Sequence, residues 1–261
     1  MRLGLVTPVL NGMPYLPACV ESVLAQGDEV EYVVQDGGST DGSCEYLAQR
    51  LKGTRARWFS ESDLGIYDAV LRGFARLDTP VMGWLGADDL LTPWAARTLL
   101  RTFEATPGVQ WLCGIPAKHY WRDGAVAVRR AAGVHARTLI RMGWYHPGRL
   151  GCLMQETMFW RKSLWVGARG EDVLRRYRLA ADFHLWREFA RHTSLISVSS
   201  VLGIFGVRAG QVSERLRSEY LNEVGSQSAV ERLVPWALIY HTSSMLLQRR
   251  LIVPGLEDRQ R

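Results

Sequence analysis

Val81-Met82-Gly83-Trp84-Leu85-Gly86-Ala87-Asp88-Asp89 is an apolar run that stops at two adjacent carboxylates. Adjacent carboxylates repel unless a cation or hydrogen-bond donors compensate them. Upstream, Glu61-Ser62-Asp63-Leu64-Gly65-Ile66-Tyr67-Asp68 adds a second acidic, glycine-containing turn. Carboxylates at the tip of a buried strand, where a sheet opens to solvent, are how an α/β fold offers oxygen ligands to a hard divalent cation on a diphosphate. Asp89 could alternatively cap the turn before Thr92.

The pattern around this run repeats. Leu3 to Val9, Glu31 to Asp36, Arg57 to Glu61, Val81 to Leu85 and Val109 to Cys113 read as strands. Residues 14–26, 41–51, 65–77 and 93–105 between them carry helical spacing, with Thr92 capping Pro93 at the start of the last. Such alternation predicts an α/β fold with a mostly parallel sheet covered on both faces. Strands 1, 2 and 4 then end in Thr7 to Gly12, Asp36 to Asp41 and Gly86 to Asp89, at the carboxyl edge where ligands bind in open α/β sheets.

From 115 to about 150 the periodicity breaks into Gly, Pro, Arg and aromatics, among them Trp121, Arg129, Arg130, Arg137, Arg141, Trp144, Tyr145 and His146. This predicts a β excursion followed by a mobile loop. Residues 155–161 read as a further strand, and Asp182 to His192 as a helix with Phe183, Trp186, Phe189 and Ala190 facing inward. Leu195 to Phe205 is apolar and ends at Gly206. After residue 225 a separate segment begins, with Trp236, Ile239, Tyr240, Leu246, Leu247 and Leu251 at helical spacing beside Arg249 and Arg250.

The chain has 261 residues, 47% hydrophobic and 22% charged, which suits one catalytic-sized domain with an appended segment. The net charge is +6, and of the 32 basic residues only Lys52, Lys118 and Lys162 are lysines. The arginine excess could favour phosphate or anionic lipid, or simply reflect codon composition. Cys19, Cys44, Cys113 and Cys152 are too widely spaced for a zinc motif and too few for a disulfide framework, so a reducing cytosol is expected. The N-terminus shows no signal pattern, and no run approaches the roughly 18–20 apolar residues that span a bilayer. A soluble or peripheral protein follows.

Asp36-Gly37-Gly38-Ser39-Thr40-Asp41-Gly42 takes a strand through a glycine-rich turn into a helix. Glycines supplying positive φ and a Ser39 or Thr40 cap would explain the turn, but neither requires Asp36, whose carboxylate could accept from a base N–H or a ribose hydroxyl. Asp182 stands at a helix start, where it could serve as an N-cap or as a general base. Gln155-Glu156-Thr157, with Phe159-Trp160-Arg161, precedes it.

In this order the segments Thr7-Pro8-Val9-Leu10-Asn11, Asp36 to Gly42, Glu61 to Ala69, Asp88-Asp89, Gln155 to Arg161 and Ala181-Asp182-Phe183 with Leu185-Trp186 resemble the inverting glycosyltransferases of family 2, over roughly residues 3 to 214. The resemblance implies a GT-A, Rossmann-like domain over 1–225 with a C-terminal helical extension over 226–261. It implies transfer of a sugar from a nucleotide-diphospho-sugar of UDP, GDP or dTDP type to a hydroxyl of a saccharide or lipid-linked saccharide, in surface polysaccharide or glycolipid biosynthesis. By the same resemblance Pro8, Val9, Asn11, Asp36, Asp63 and Asp88 face the nucleotide and Asp89 ligates Mn²⁺ or Mg²⁺. Glu156 then orients the acceptor, and Asp182 is the catalytic base.

The chain departs from the family pattern in two places. Relatives often continue Gly-Ile-Tyr-Asp-Ala with Asn and Lys, where this chain has Leu71 and Arg72. They also tend to carry a histidine where Arg208 stands, so Arg208 is expected to meet the diphosphate itself, with His184 as a substitute metal ligand or a plain surface residue.

A sugar nucleotidyltransferase would place a glycine-rich basic loop directly after the first strand, where Asn11-Gly12-Met13-Pro14-Tyr15-Leu16 stands. An inactive GT-A binding scaffold would not need Asp36, Asp63, Asp89 and Asp182 together. No nucleic-acid recognition module and no Gly-x-Gly-x-x-Gly after strand 1 are present, which sets aside nucleic acid and dehydrogenase chemistry. The C-terminal pattern suits docking on the domain, on a second subunit or on a membrane interface, and the expected location is cytoplasmic or peripheral at the inner membrane face.

Overall fold

A computed structural model describes residues 1–129, 133 and 135–225. The predicted helical extension over 226–261, its Trp236 to Leu251 pattern, and Arg130 lie outside the described residues. The first half runs β1 (Leu3–Val9), α1 (Leu16–Leu24), β2 (Val30–Asp36), α2 (Ser43–Arg50), β3 (Arg57–Ser60), α3 (Ile66–Ala75), β4 (Val81–Trp84), β5 (Leu90–Leu91) and α4 (Ala95–Ala105). Next come β6 (Trp111–Cys113), β7 (Ala117–Tyr120), β8 (Ala125–Val128), α5 (Arg137–Arg141), β9 (Met158–Arg161), α6 (Lys162–Gly167) and α7 (Gly170–Arg176). The described chain ends with α8 (Ala181–His192), β10 (Ile196–Ser197), β11 (Gly203–Val207), α9 (Val212–Arg215) and α10 (Arg217–Val224).

The large sheet has the order β10-β6-β9-β4-β1-β2-β3. Strand β1 is buried along its whole length and pairs in parallel with β2 and β4, because helices cover both of its faces. Strand β9 alone runs antiparallel, between β4 and β6. A smaller sheet, β5-β11-β7-β8, lies at the carboxyl edge.

On one face, Leu16 and Val20 of α1, Leu47 of α2 and Leu99 and Phe103 of α4 pack on Leu3, Leu5 and Val34. On the other, Val70 and Phe74 of α3 and Trp186 and Phe189 of α8 pack on Val6, Trp84, Trp111 and Trp160. The Trp186 ring lies stacked on Trp84 at 5.8 Å and on Trp111 at 5.6 Å between centroids. Trp160 meets Trp84 edge-on at 5.4 Å. Large aromatic side chains contribute about 1.5–3 kcal/mol each when fully buried, and such ring pairs add about 0.5–1.5 kcal/mol. The helix that carries Asp182 is thereby held on the strand that leads to Asp88 and Asp89.

The structure corrects several local expectations. Helix α4 starts at Ala95 without a side-chain cap, and the Thr92 hydroxyl donates instead to the Val201 carbonyl at 2.8 Å, tying the helix entry to the late chain. The apolar run Leu195 to Phe205 divides between two sheets: β10 joins the large sheet on β6, while β11 joins the small sheet between β5 and β7. Residues 155–157 form a 3₁₀ turn before β9. The stretch expected as a loop contains α5, whose Arg137 donates to the Ala190 and Arg191 carbonyls at 2.7 Å each and so closes the C-terminus of α8. Leu71 is buried in the α3 face of the core, and Arg72 pairs with Asp68 and Glu61. Among the described residues no helix is long and apolar enough to cross a membrane.

If the tryptophan stack holds α8 to the sheet, Trp186→Ala should lower the unfolding free energy by about 3–5 kcal/mol in urea denaturation. A loss below roughly 1 kcal/mol would show that the stack is not what fixes α8.

Candidate active site

The tips of β1 and β2 are flush, Val9 standing opposite Asp36 in register, and the Val9 carbonyl accepts the Gly37 N–H at 2.8 Å. Asp36 is 0% exposed, and the chain's own donors converge on it. Its Oδ2 accepts from Gly38 N at 2.9 Å, Ser39 N at 3.0 Å and the Ser60 hydroxyl at 2.7 Å, and the Cys44 thiol lies at 3.3 Å. The Ser39 hydroxyl closes on Oδ1. Burial alone would raise the Asp36 carboxyl, but bonds from Ser39, Ser60 and Gly38 outweigh it and hold the group below its ordinary value.

In this structure Asp36 therefore organises the turn. Ser39 and Thr40 do not cap α2. Ser39 Oγ accepts the Asn11 N–H at 2.7 Å, and Asn11 Oδ1 accepts the Thr40 N–H at 2.9 Å. Asp41 holds the helix entry instead, accepting from Ser43 N at 3.1 Å and Met13 N at 2.8 Å. Asn11 adopts φ +53°, a left-handed conformation that asparagine tolerates. Pro8 and Val9 are buried in β1, so their side chains form the floor behind this turn.

Asp63 folds over the same turn. Its Oδ1 accepts the Gly65 N–H at 2.9 Å, and its Oδ2 would lie 2.5 Å from a Cβ at position 37, so a side chain there would push the Asp63 carboxylate aside. Asp36, Asn11 and Asp63 thus converge on one turn at the β1–β2 edge.

Beyond β4, Asp89 is 5% exposed and its Oδ1 accepts the Gly206 N–H of β11 at 2.8 Å, not a donor in the turn before Thr92. Burial, then the charge of Asp88, push the Asp89 carboxyl up to about 7, against the pull of the Gly206 and Gly86 amides and Arg208. Asp88 Oδ2 accepts from Arg208 Nε at 2.5 Å. The Asp88 carbonyl accepts the Trp121 indole N–H at 2.9 Å, and the Arg208 guanidinium lies 5.3 Å from the centre of the Tyr15 ring, which packs on Trp121 at 5.1 Å. Arg208, expected to meet a diphosphate, is here the counter-ion of Asp88.

Strand β11 passes between this loop and the turn that carries Glu156. A Cβ at Gly206 would sit 1.8 Å from the Asp88 carbonyl oxygen, and one at Gly203 1.9 Å from that of Glu156. Gln155 Nε2 donates to the Trp84 carbonyl at 2.6 Å, locking the same turn to the end of β4. Glu156 is 2% exposed, and its Oε1 has no hydrogen-bond partner among the described residues. Burial, then the charge of Asp89, raise its carboxyl well above the ordinary range, with Lys118 opposing and Asp182 adding to the rise.

Asp182 is the second residue of α8, with Ala180 at the N-cap position, so it is not the cap. The Tyr67 hydroxyl lies 3.2 Å from Asp182 Oδ1 and 2.9 Å from the Leu179 carbonyl, and the Asp182 N–H points to it at 3.3 Å. Burial pushes the Asp182 carboxyl up to about 6, partly offset by the Phe183 N–H and Tyr67. His184 faces away from the metal-type carboxylates: its Nε2 bonds the Glu223 carbonyl at 2.9 Å and its ring stacks on Tyr177 at 3.6 Å.

The structure therefore gathers Asp88, Asp89, Glu156, Asp182 and Arg208 at one end of the sheet, with Pro8, Val9, Asn11, Asp36 and Asp63 at the neighbouring β1–β2 edge. Sequence reasoning missed Tyr15, Tyr67, Trp121, Gly203 and Gly206. Glycines inside an apolar strand signal a close backbone approach, so Gly203 and Gly206 could have been found; the aromatic partners come from distant segments and leave no local pattern.

Comparisons with known proteins bear on the family and the fold. The family described as Glycosyl transferase family 2 matches residues 5–164. A "PGL/p-HBAD biosynthesis glycosyltransferase" of Mycobacterium tuberculosis is 39% identical over 103 residues, 38% of this chain and 39% of that protein. An uncharacterized glycosyltransferase of Nostoc is 28% identical over 109 residues, 41% of this chain and 34% of that protein. The similarity thus spans well under half of these curated relatives.

Among solved structures, S. aureus TarS in complex with UDP-GlcNAc superposes with TM-score 0.63 at 15% identity, covering 82% of this chain and 61% of that one. The mannosyltransferase PcManGT of Pyrobaculum calidifontis, in complex with GDP-Man and Mn²⁺, gives TM-score 0.61 at 19% identity over 94% and 69% of the two chains. At such identities these likenesses speak to the fold alone, which is GT-A. The family match covers more than half of the chain, over the stretch that builds the β1–β2 edge, the Asp88-Asp89 loop and the Glu156 turn, and the protein belongs to glycosyltransferase family 2.

Proposed function

We propose that this protein is an inverting, hexosyltransferase-type enzyme that moves a sugar from a nucleotide-diphospho-sugar to an acceptor hydroxyl. One observation carries the reading: β11 seats Gly206 against the Asp88 carbonyl and Gly203 against that of Glu156, while Trp186 on the Asp182 helix stacks on Trp84 at the root of the Asp88-Asp89 loop, so acids from distant parts of the chain share one edge of the sheet. The donor is of UDP, GDP or dTDP type, in keeping with the sugar nucleotides bound by TarS and PcManGT. The acceptor is a saccharide or lipid-linked saccharide, and the naming of the mycobacterial relatives supports a role in glycolipid or surface polysaccharide assembly.

Asp182 takes the proton of the acceptor hydroxyl, whose oxygen forms a bond to the anomeric carbon as the bond to the diphosphate breaks on the opposite face. A carboxylate with its proton affinity raised by burial is a stronger base than an exposed one, and it is still ionised at neutral pH. Glu156 holds the acceptor beside it. Asn11, Asp63 and the Asp36 turn receive the nucleoside, and Arg208 exchanges Asp88 for the diphosphate.

A divalent cation, Mn²⁺ or Mg²⁺, fits the donor set. Among the described residues no group of three His, Cys, Asp or Glu side chains could hold a metal by themselves. This suits an ion bound by one or two carboxylates and completed by substrate phosphates and water. Asp89, with Asp88 beside it, would hold the ion, which when bound offsets charge on the departing diphosphate.

Asp182→Asn should spare nucleotide binding and lower turnover at least about 100-fold, measured as nucleoside diphosphate release; full turnover would move the base elsewhere. Because Asp182 must be ionised, kcat at saturating donor and Mn²⁺ should be level above about pH 7, halve near pH 6 and fall about tenfold per unit below about pH 5. A profile flat to pH 4 would contradict this. Asp89→Asn keeps an oxygen for the Gly206 amide and loses the charge, so the fold should persist. The rise in Tm with UDP or GDP that depends on Mn²⁺ should vanish. An undiminished, EDTA-sensitive shift would refute the ligand role. If the wild-type protein shows no shift with any UDP, GDP or dTDP compound, a binding scaffold becomes the better reading.

A further inference from the structure

Helix α10 (Arg217–Val224) lies beyond the stretch that matches the family, yet it grips the approach to the helix that carries Asp182. Glu223 Oε2 accepts the N–H groups of Leu179 at 2.8 Å and Ala180 at 2.9 Å, and Oε1 accepts that of Arg178 at 3.2 Å. Successive backbone amides converging on one anion form a nest, and hydrogen bonds to an ionised acceptor are roughly twice as strong as neutral ones. The carbonyl of the same residue holds His184 Nε2 at 2.9 Å, while Tyr220 and Val224 pack on Ala180 and Phe183.

Ala180, at the N-cap of α8, has no side-chain oxygen with which to order this entry. From the other side, α3 supplies only the Tyr67 hydroxyl, on Leu179 O and Asp182. Asp182 is two residues past the last clamped amide. A base acts only when its oxygen sits at hydrogen-bond distance from the proton it removes, and a misplacement of about 1 Å can cost about 100-fold.

We propose that Glu223 is a positioning residue for Asp182: its carboxylate locks residues 178–180 and thereby sets where the base meets the acceptor hydroxyl. The inference rests on the assignment of Asp182 as the base. Among the described residues the Glu223 carboxylate bonds only backbone amides, and it has no part in the bonds that form or break.

The test compares wild type, Glu223→Gln, Glu223→Ala and Asp182→Asn in nucleoside diphosphate release from UDP-GlcNAc and GDP-mannose with Mn²⁺, water serving as acceptor. Hydrogen exchange is followed in the peptide over residues 177–184. Phe103→Leu, in the buried face of α4, controls for a general loss of stability.

Glu223→Ala should speed exchange at 178–180 and lower kcat about 10- to 100-fold with the donor KM within about twofold. Glu223→Gln, which keeps one acceptor oxygen and the side-chain shape, should fall between it and wild type. Three outcomes overturn the inference: unchanged exchange at 178–180 in Glu223→Ala, faster exchange with wild-type kcat, or an equal kcat loss in Phe103→Leu at the same fall in Tm. Wild-type turnover by Asp182→Asn would sink the base assignment itself. An inactive Asp182→Asn beside a fully active Glu223→Ala would sink only the role of Glu223.

Discussion

The stack of Trp186 between Trp84 and Trp111 is the contact on which the site depends. Trp84 closes β4, the strand that leads to Asp88 and Asp89, and Trp186 lies one helical turn after Asp182. Residues four apart share a helix face, so the packing that buries Trp186 also aims Asp182 along the sheet toward its carboxyl edge. Flat indole faces leave little freedom to slide or tilt in a close-packed interior, which makes an apolar contact a means of fixing the separation of two carboxylates. Arg137 at the far end of α8, and Tyr67 and Glu223 at its near end, then hold the helix along its length.

The second constraint is electrostatic. Asp88, Asp89, Glu156 and Asp182 gather at one edge, and like charges in a poorly solvated place cannot all remain ionised without compensation. The protein answers in different ways. Asp88 is neutralised by Arg208, Asp89 is anchored on the Gly206 amide, and Glu156 carries a raised proton affinity with one oxygen that has no hydrogen-bond partner among the described residues. An arrangement held this way is set to receive positive charge or donors from a ligand. At the β1–β2 edge the balance is reversed: Asp36 is saturated by amides and hydroxyls of its own turn, so it shapes that turn from beneath rather than by reaching out.

Much of the α/β core was legible in the sequence because its central strands β1 and β2 are seven residues each and largely buried, while its helices keep one apolar stripe. The expected spans of β1 and β2 and of α3 and α4 fall close to the observed ones for that reason. The late chain was less legible. Leu195 to Phe205 has one composition but two destinations, since β10 and β11 belong to different sheets, and composition does not say where a strand changes sheet. The small helix α5 hides among arginines, one of which, Arg137, closes another helix, a relation between residues 137 and 190–191 that no local window contains.

The sequence by itself determined the family, the parallel core and the identity of the acidic residues, because these are written in local periodicity and in short ordered motifs. The partners of each acid come from the tertiary structure alone. It turned Asp36 inward, gave Asp88 an arginine from 120 residues away, and hung Asp182 between Tyr67 and the amides that Glu223 holds. Proton affinity and hydrogen-bond partnership depend on which surfaces exclude water and which donors arrive from distant segments, and those are fixed only when the chain has folded.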